Sequence, residues 1–263
     1  MPEGDTVWRT AHRLDQALAG RVLTSTDFRV PAHATVDLSG STVTEVRARG
    51  KHLLTRTTAG VTIHTHLKME GSWHLYRHGS RWRGPDHQIR VVLANSDWVA
   101  VGFRLGAVDL VSTSDEATLV GHLGPDLLGA DWQVDEAARR LLSVPQRPVG
   151  EALLDQRNLA GIGNLYMAEL CFLVGVHPRT PIDKVPDLNR MLDRGQKLLQ
   201  ANTTRSAQTT TGDTRRGRTA WVYERSGKPC RRCGTTIRSA LQGEPLRERV
   251  AYWCPSCQPE PEG

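Results

Sequence analysis

The sequence predicts an α+β protein in which an N-terminal helix and an antiparallel β-sandwich precede a helical domain and a cysteine-bearing C-terminal unit. Three observations support this prediction. Apolar residues have helical spacing near the N-terminus, short runs rich in Val, Thr and Ile follow to about residue 120, and helical spacing then returns. A chain of 263 residues is long enough for one large domain or for two to three small ones.

The first predicted element is a helix over residues 4–19. Its apolar stripe follows the spacing i, i+4, i+7, i+11 and consists of Val7, Ala11, Leu14 and Leu18. Gly20 is a natural end for this helix, because glycine readily adopts the left-handed conformation that follows a helix C-terminus.

Seven short strands are predicted next, separated by turn residues such as Gly50, Gly60 and Asn95. They cover Thr42–Val46, Leu53–Thr57, Val61–His66, Trp73–Tyr76, Ile89–Leu93, Trp98–Val101 and Ala107–Leu110. Many short strands with frequent turn residues are typical of an antiparallel sandwich or barrel.

After residue 126 the spacing of apolar residues is again helical. Four helices are predicted, bounded by proline and glycine: Asp135–Leu142, Val149–Gln156, Asn164–Val174 and Leu188–Ala201. The segment 202–219 is polar and lacks large apolar side chains, which predicts a mobile loop with Arg215 and Arg216 available to phosphates. A solvated linker without a function is the alternative.

Charge is unevenly distributed along the chain. Lys and Arg number 34 against 28 Asp and Glu, a net charge of +6, and the residues from Thr214 to the end contribute 10 − 5 = +5. A basic C-terminal region indicates a polyanionic partner such as nucleic acid, although a basic surface without a partner explains it equally well. The sequence has no run of about 18–20 apolar residues and no secretory signal, so we expect no membrane association.

Four of the five cysteines form two pairs, Cys230-x2-Cys233 and Cys254-x2-Cys257, with twenty residues between the pairs. Each pair can hold one metal ion with two thiolates, and the segment between them can form a hairpin, so we predict one structural Zn2+. Two disulfides are the alternative, which the reducing cytosol disfavours. The unit also carries arginines that could contact a nucleic-acid groove: Arg231, Arg232, Arg238, Arg247 and Arg249.

The chain start, Met1-Pro2-Glu3-Gly4-Asp5, offers an unusual chemical group. A small residue at position 2 permits removal of the initiator Met, which would leave the secondary amine of Pro2 as the N-terminus. An α-amino group is partly unprotonated at neutral pH, and a secondary amine that attacks an aldehyde-level carbon forms an iminium. Glu3 could transfer protons beside it. The alternative is a helix start, where proline and acidic residues are favoured.

Two further stretches contain candidate phosphate ligands. In residues 49–54, RGKHLL, Lys51 follows a turn and precedes a strand. In residues 159–166, LAGIGNLY, glycines allow close approach of a ligand and Asn164 opens a helix. The N-terminus of a helix can hold a phosphate, although capping of the helix by Asn164 explains the pattern equally well.

Together these motifs resemble the formamidopyrimidine-DNA glycosylase / endonuclease VIII family of base-excision repair enzymes. The similarity runs in order from PEGD, through RGKHLL and HLKMEGSW, to LLDQRNLAGIGNLYMAE and RVAYWCPSCQ. It implies a helix–two-turns–helix motif over roughly Val149–Val174, a β-hairpin zinc finger, and DNA bound between two lobes. The implied domains are residues 1–125, 126–220 and 221–263.

The resemblance also implies roles for single residues. Pro2 matches the nucleophile that attacks C1′ of the damaged nucleotide, and Glu3 matches the acid/base carboxylate. Lys51 matches a lysine assigned to β-elimination and phosphate contact, and Arg249 matches an arginine assigned to δ-elimination and phosphate binding. Asn164 matches a phosphate-binding asparagine.

A base must leave the helical stack before it can be attacked, and a side chain must then fill the gap. The family's wedge position matches Met69, with Lys68 beside a DNA strand, although core packing of Met69 is the alternative. A second intercalating loop matches residues 103–106, so Arg104 and either Leu105 or Phe103 are candidates. The loop over the flipped base would include Arg215, Arg216 and Tyr223.

Some positions depart from the family pattern. His122 stands where the family has an arginine before Gly-Pro-Asp, which changes one DNA contact. Residues 103–106 are FRLG where the purine-specific branch has Arg-Arg-Phe-Gly, whereas His87 resembles a DNA-contacting histidine of that branch. The ends PEGDT and YWCPSCQ are more similar to the endonuclease VIII branch.

The resemblance therefore predicts a bifunctional DNA glycosylase and abasic-site lyase that removes oxidised pyrimidines from damaged DNA. A purine-directed glycosylase is one alternative, and a zinc-finger DNA binder or abasic-site sensor without turnover is another. We expect a monomeric, cytoplasmic bacterial protein associated with the nucleoid, with one Zn2+ and no small-molecule cofactor.

Overall fold

A computed structural model describes residues 2–246 and 248–261 of the chain. Met1 and Arg247, both named above, lie outside the described residues. The chain forms two compact units, Met1–His122 and Leu123–Gly263. Among the described residues, none of the helices combines the length and the hydropathy that crossing a membrane requires.

The first unit contains one long helix, two sheets and a short helix. Helix α1 is Gly4–Leu18, and α2 is Ala117–Val120. The strands are β1 (Ser25–Phe28), β2 (Val43–Arg49), β3 (His52–Thr57), β4 (Val61–His66), β5 (Ser72–Tyr76), β6 (Ile89–Ala94), β7 (Val99–Phe103) and β8 (Ala107–Ser112). They form two antiparallel sheets with the orders β1-β6-β7-β5 and β2-β3-β4-β8, which is the predicted sandwich.

Helix α1 shares one hydrophobic core with both sheets. All four residues of the predicted stripe are buried, Val7 and Leu18 completely, together with Leu53 and Val91 from the sheets. Full burial of such a side chain contributes about 1.5–3 kcal/mol. The packing therefore fixes the start of α1 relative to the sandwich.

The second unit contains four helices and a hairpin. The helices are α3 (Val134–Leu141), α4 (Val149–Leu154), α5 (Asn164–Val174) and α6 (Leu188–Thr203), and strands β9 (Arg238–Gln242) and β10 (Arg249–Trp253) form the antiparallel hairpin. Ala168 and Phe172 of α5 share a core with Val222, Ile237 and the cysteine-bearing segment. The hairpin therefore packs on the helical part of the unit.

The structure confirms the predicted fold class, and its differences have local causes. Strand β1 was not predicted, because Phe28 is the one fully buried residue in the sequence STDF. Strand β2 ends at Arg49 and not at Val46, because its polar final residues continue the pairing with β3.

Candidate active site and nucleic-acid interface

The chain start lies directly before α1. Glu3 is the N-cap residue, in an extended conformation with φ −118° and ψ −173°, and its side chain makes no capping hydrogen bond. Glu3 and Asp5 are nevertheless fully buried, and Pro2 is partly buried. A capping carboxylate would bond the unpaired N–H groups of the first turn. The side chain of Glu3 therefore does not cap α1, while the position of Glu3 and Asp5 at the N-terminal end of the helix agrees with the helix-start alternative.

The dipole of α1 affects the amine that removal of Met1 would expose. Pro2 lies two residues before the first helical residue, at the end of the helix that carries partial positive charge. This field disfavours a positive charge on the Pro2 nitrogen.

Lys51 lies in the two-residue turn between β2 and β3. The last cross-strand pair is Arg49 with His52, and Gly50 has φ +57°. This conformation is costly for residues other than glycine, and hairpins with two-residue loops favour glycine at such a position. Gly50 therefore allows the turn that places Lys51 at the end of the sheet.

Histidines of two strands lie at this same end, a feature that the sequence analysis did not identify. His52 of β3 pairs with His66 of β4, and the two rings meet edge-on with centroids 4.9 Å apart. Nδ1 of His52 is 2.8 Å from Nε2 of His64, and Nδ1 of His64 is 2.8 Å from Oδ2 of Asp109 on β8. A row of hydrogen-bonded side chains thus runs from Asp109 to His52, the residue after Lys51.

The imidazoles of His52 and His66 are uncharged at neutral pH. Burial, together with the nearby histidines and Lys68, lowers the pKa of His52 to about 3. Burial, together with the charges of Lys68 and Lys51, lowers the pKa of His66 to about 4. Positive charge beside these histidines is therefore supplied by the lysines. His122 is exposed, and its ring centroid lies 6.4 Å from that of His52.

Two loops that carry predicted wedge residues pack against each other. Met69 is 65% exposed, which rules out the core-packing alternative. Lys68 has φ +51° and Arg104 has φ +48°, conformations that are rare for residues with a side chain and that concentrate at functional loops. Arg104 forms an ion pair with Glu70 at 3.2 Å, and a Cβ atom on Gly106 would lie 2.1 Å from Cγ of Lys68.

The second loop has one exposed candidate and not three. Leu105 is 6% exposed and Phe103 is 4% exposed, and both belong to hydrophobic cores. Neither can enter a base stack without leaving this packing, which corrects the prediction for Leu105. Arg104 is exposed, and its N–H donates to the carbonyl of Gln88, the residue after the exposed His87. The predicted contacts His87 and Arg104 therefore lie close together.

In the second unit, two tight turns over residues 155–163 join α4 to α5. The side chain of Gln156 stabilises both turns, because it accepts from the N–H of Gly161 and donates to the carbonyl of Ile162. Gly161 has φ +109°, a conformation that only glycine adopts readily. These turns place the N-terminus of α5 at the surface of β10.

Asn164 and Arg249 are adjacent through the hairpin. Asn164 is the first residue of α5, and its Nδ2 donates to the carbonyl of Val250 at 2.9 Å. Val250 follows Arg249 in β10, and Arg249 is exposed. The structure thus brings together two predicted phosphate ligands that are far apart in the sequence.

Glu169 of α5 anchors the segment that was predicted to cover the flipped base. It is fully buried, and its carboxylate accepts hydrogen bonds of 2.8 Å from the backbone N–H groups of Trp221, Val222 and Tyr223. The hydroxyl of Thr210 also donates to it. These donors compensate the cost of burying a charged group. One carboxylate therefore joins both ends of the segment.

The segment 202–219, predicted as a mobile loop, is anchored by hydrogen bonds near its start and just after its end. The buried side chain of Asn202 donates to the carbonyl of Thr209 and accepts from its N–H. Arg215 and Arg216 are exposed at the tip, where Arg215 lies 2.7 Å from Asp213. The residues that anchor the loop, Asn202 and Glu169, are single polar residues inside helices. The composition of the loop itself does not reveal them.

Two of the finger arginines contact other parts of the second unit. Arg231 donates to the carbonyls of Ala220 and Gly217. The guanidinium of Arg232 lies 4.4 Å from the ring centroid of Phe172. Arg231 and Arg232 therefore have structural partners within the unit, while both are exposed, and their contact with nucleic acid stays a prediction.

The four predicted metal ligands come together at the base of the hairpin. Their sulfur atoms all lie within 4.8 Å of one another, with 3.4 Å between Cys233 and Cys254 and 3.5 Å between Cys233 and Cys257. All four are free thiols, so the disulfide alternative is wrong. A zinc ion bound tetrahedrally by four sulfur atoms, with Zn–S distances of about 2.3 Å, requires the sulfur atoms to lie roughly 3.8 Å from one another. The set, completed by Cys230, can hold one metal ion.

Two family models match successive parts of the chain. The formamidopyrimidine-DNA glycosylase N-terminal domain matches residues 1–110. The formamidopyrimidine-DNA glycosylase H2TH domain matches residues 123–212. The two matches therefore fall in the sandwich unit and in the helical part of the second unit.

Relatives and solved structures are similar over nearly the whole length. The protein named "Probable endonuclease 8 2" of Streptomyces coelicolor is 56% identical over 264 residues, which cover 99% of this chain and 95% of the relative. The "DNA-(apurinic or apyrimidinic site) lyase Nei2" of Mycolicibacterium smegmatis is 49% identical and covers 98% of this chain and 99% of its own. Among solved structures, the formamidopyrimidine-DNA glycosylase of Lactococcus lactis with abasic-site DNA superposes with a TM-score of 0.80 at 21% sequence identity. The match covers 98% of this chain and 100% of that chain, so the two have the same fold.

Proposed function

The chain belongs to the formamidopyrimidine-DNA glycosylase / endonuclease VIII family, in its endonuclease VIII-like branch, and from this premise we propose a bifunctional DNA glycosylase and abasic-site lyase that removes oxidised pyrimidines. The observation that carries the proposal is the chain start, where a fully buried Glu3 that does not cap α1 directly follows Pro2. The bacterial relatives support action on chromosomal DNA in the cytoplasm.

The first chemical step is displacement of the damaged base. The nitrogen of Pro2 attacks C1′ and passes its proton to the carboxylate of Glu3, the bond from C1′ to the base breaks, and the base leaves with its electron pair and takes up a proton from solvent. The bond from C1′ to the ring oxygen then opens, Glu3 supplies the proton that this oxygen takes up, and the Pro2 nitrogen and C1′ form an iminium. The amine and the carboxyl must be adjacent for this step, as they are at the start of α1.

Strand cleavage follows from the electron demand of the iminium. A C2′ proton is lost to solvent and the C3′–O bond breaks, which forms a C2′–C3′ double bond and releases the 3′ phosphate. A C4′ proton is then lost to solvent and the C5′–O bond breaks, which releases the 5′ phosphate. Both leaving groups are anions that nearby cations stabilise. We assign this task to Lys51 at the sheet end and to Arg249 on β10, with Asn164 as a further phosphate ligand.

Access to the base requires a gap in the DNA stack to be filled. Met69 is exposed at a loop tip and suits the wedge, because its side chain is apolar and flexible. Lys68, Arg104, His87 and His122 are exposed and suit contacts with the DNA strands. The loop that carries Arg215, Arg216 and Tyr223 is proposed to cover the flipped base, with Tyr223 held edge-on against Tyr252 at 5.5 Å.

We propose that the four cysteines hold one Zn2+, because four thiolates at this spacing are a closed structural site. The ion would stabilise the hairpin, since so small a unit buries little apolar area. We expect about one zinc per chain by mass spectrometry of the native protein, and loss of zinc and of DNA affinity in Cys254→Ser. Full zinc occupancy in that variant, or iron in the native protein, would contradict the assignment.

A trapping experiment tests the proposed nucleophile. Borohydride reduces an iminium to a stable amine, so processed protein should form a covalent adduct with DNA that contains an abasic site. Pro2→Ala and a form that retains Met1 should give no adduct and no nicking. An undiminished adduct with either protein would refute Pro2 as the nucleophile.

A panel of single-lesion oligonucleotides tests the substrate. Thymine glycol and other oxidised pyrimidines should be released faster than 8-oxoguanine or formamidopyrimidines, with base release and nicking scored separately. Faster release of the purine lesions would replace the pyrimidine assignment by the purine one. Salt-dependent binding without base release or nicking would leave only a DNA-binding function.

A further inference from the structure

The row from Asp109 to His52 fixes where the imidazole protons lie. A carboxylate only accepts hydrogen bonds, so Nδ1 of His64 donates to Oδ2 of Asp109. In neutral His64, Nε2 then carries no proton and accepts from Nδ1 of His52. His52 is thereby held with its proton on Nδ1, and its Nε2 is an unprotonated acceptor.

His66 has the opposite arrangement although it pairs with His52 across the strands. Its Nδ1 accepts from the backbone N–H of Lys68 at 2.9 Å, so its proton lies on Nε2. A surface that binds phosphate is expected to present donors, and His66 does so. The bare Nε2 of His52 would repel a phosphate oxygen and attract a donor.

The charged groups around His52 identify that donor. Lys51 directly precedes His52 in the turn between β2 and β3, and the backbone N–H of Lys68 donates to Nδ1 of His66. Lys68 and the neighbouring histidines, His122 among them, lower the pKa of His52, and Lys68 and Lys51 lower the pKa of His66. An ammonium group carries three N–H donors and no acceptor, so it complements an unprotonated imidazole nitrogen. One donor used in this way still leaves two for a phosphate.

We propose that Asp109 and His64 are positioning residues that hold His52 as an acceptor for a lysine ammonium at this sheet end, and thereby orient the cations that stabilise the leaving phosphate. The proposal rests on the lyase function proposed above. It adds two residues, His64 and Asp109, to that reaction without contact between them and the substrate.

The tautomers can be measured without DNA. In the 15N-labelled holoprotein at pH 7, long-range 1H–15N spectra should show His52 and His64 neutral with the proton on Nδ1, and His66 neutral with the proton on Nε2. His52 with its proton on Nε2, or His64 as an imidazolium, would overturn the proposal. This measurement tests the proposed tautomers even if the protein proves not to cleave DNA.

Variants then test the effect on elimination, with abasic-site DNA as the substrate so that base release is bypassed. His64→Phe keeps the ring and removes both nitrogens, and Asp109→Leu removes the acceptor. Each should lower kcat of strand cleavage by about tenfold with little change in KM, an effect typical of groups that orient a ligand. Asp109→Asn keeps an acceptor oxygen and should stay within roughly twofold of the native rate.

The outer face of the same sheet provides a matched control. Glu116 accepts from Arg56 at 2.6 Å and from Thr62, at the end of the sheet away from Lys51. Glu116→Gln should lower thermal stability and leave the His52 tautomer and the cleavage rate unchanged. Native kcat in Asp109→Leu, or equal losses in Asp109→Leu, Asp109→Asn and Glu116→Gln, would contradict a positioning role.

Discussion

Each unit of the molecule contains a glutamate with no solvent exposure, and the two are used differently. Glu169 in the second unit is surrounded by donors: three backbone N–H groups at 2.8 Å and a threonine hydroxyl. Glu3 in the first unit lies at the N-cap of α1, where capping is the expected use of a carboxylate, and it does not cap. Burial alone therefore does not distinguish a structural carboxylate from a reactive one.

The position of a buried carboxylate, in addition to its burial, thus indicates its role. A carboxylate whose acceptor positions are occupied by backbone donors stabilises one conformation and is poorly placed to exchange protons. A carboxylate next to a nucleophile, and not used as a cap, is placed for acid/base chemistry. Three measurements can test this difference between the two units.

The largest effect is expected from Glu3→Gln. The amide has the same shape but cannot exchange a proton, so base release should fall by about 10²–10⁴-fold, the usual contribution of a general acid or base. Thermal unfolding should stay close to that of the native protein. Single-turnover base release with a thymine glycol duplex measures the first quantity and calorimetry the second. A variant that releases the base at the native rate would remove the contrast.

The next effect is a loss of stability in Glu169→Ala. The substitution leaves buried backbone N–H groups without an acceptor, which should lower the free energy of unfolding by about 3–5 kcal/mol. Urea denaturation measures it, and hydrogen exchange should show faster exchange at Trp221, Val222 and Tyr223. Glu136→Gln is the matched control, because Glu136 on α3 forms surface ion pairs with Arg139 and Arg140. This substitution should lower the free energy of unfolding far less than Glu169→Ala does. Equal losses in the two variants would show that burial of Glu169 is not what matters.

The smallest effect is a difference between the two units in how much stability each loses as the pH falls. The pKa values of His52 and His66 lie at about 3 and about 4, below the ordinary value of 6.5, because burial disfavours the charged form. Between pH 6.5 and pH 4 the unfolded chain binds protons that the folded unit does not, so stability falls as pH falls. Each histidine contributes at most about 1.4 kcal/mol per pH unit, reduced by its partial exposure.

Hydrogen exchange at pH 7 and pH 5 measures this difference. Amides of β3 and β4 should lose more protection than amides of α5. His177, the single histidine in the sequence of residues 123–263, also has a pKa lowered by burial, so some loss is expected there. In the first unit burial lowers the pKa of three histidines, His52, His66 and His74, so the loss there should be larger. In His66→Gln the excess loss should be about halved. Equal loss of protection in both units would contradict the assignment to these histidines.

Local patterns predicted most of the elements, and long-range contacts determined what was missed. The stripe of α1, the alternation in β3 and β4 and the spacing of the cysteine pairs are each contained within a short stretch of chain, so the sequence shows them directly. Asp109 and His64 are 45 residues apart, and the sheet register alone brings them together. The burial of Leu105 was missed for the same reason. Its sequence motif matches a wedge loop, and only the folded sandwich shows that its side chain lies in a core.

The side chain of Arg231 has a consequence for how damage would be recognised. It follows Cys230, one of the four cysteines proposed to hold zinc, and donates to the carbonyls of Gly217 and Ala220. The proposed metal site and the loop proposed to cover the flipped base are thus linked through the side chain of one residue. Protein depleted of its ion should therefore become less discriminating between intact and damaged nucleotides, in addition to holding DNA more weakly.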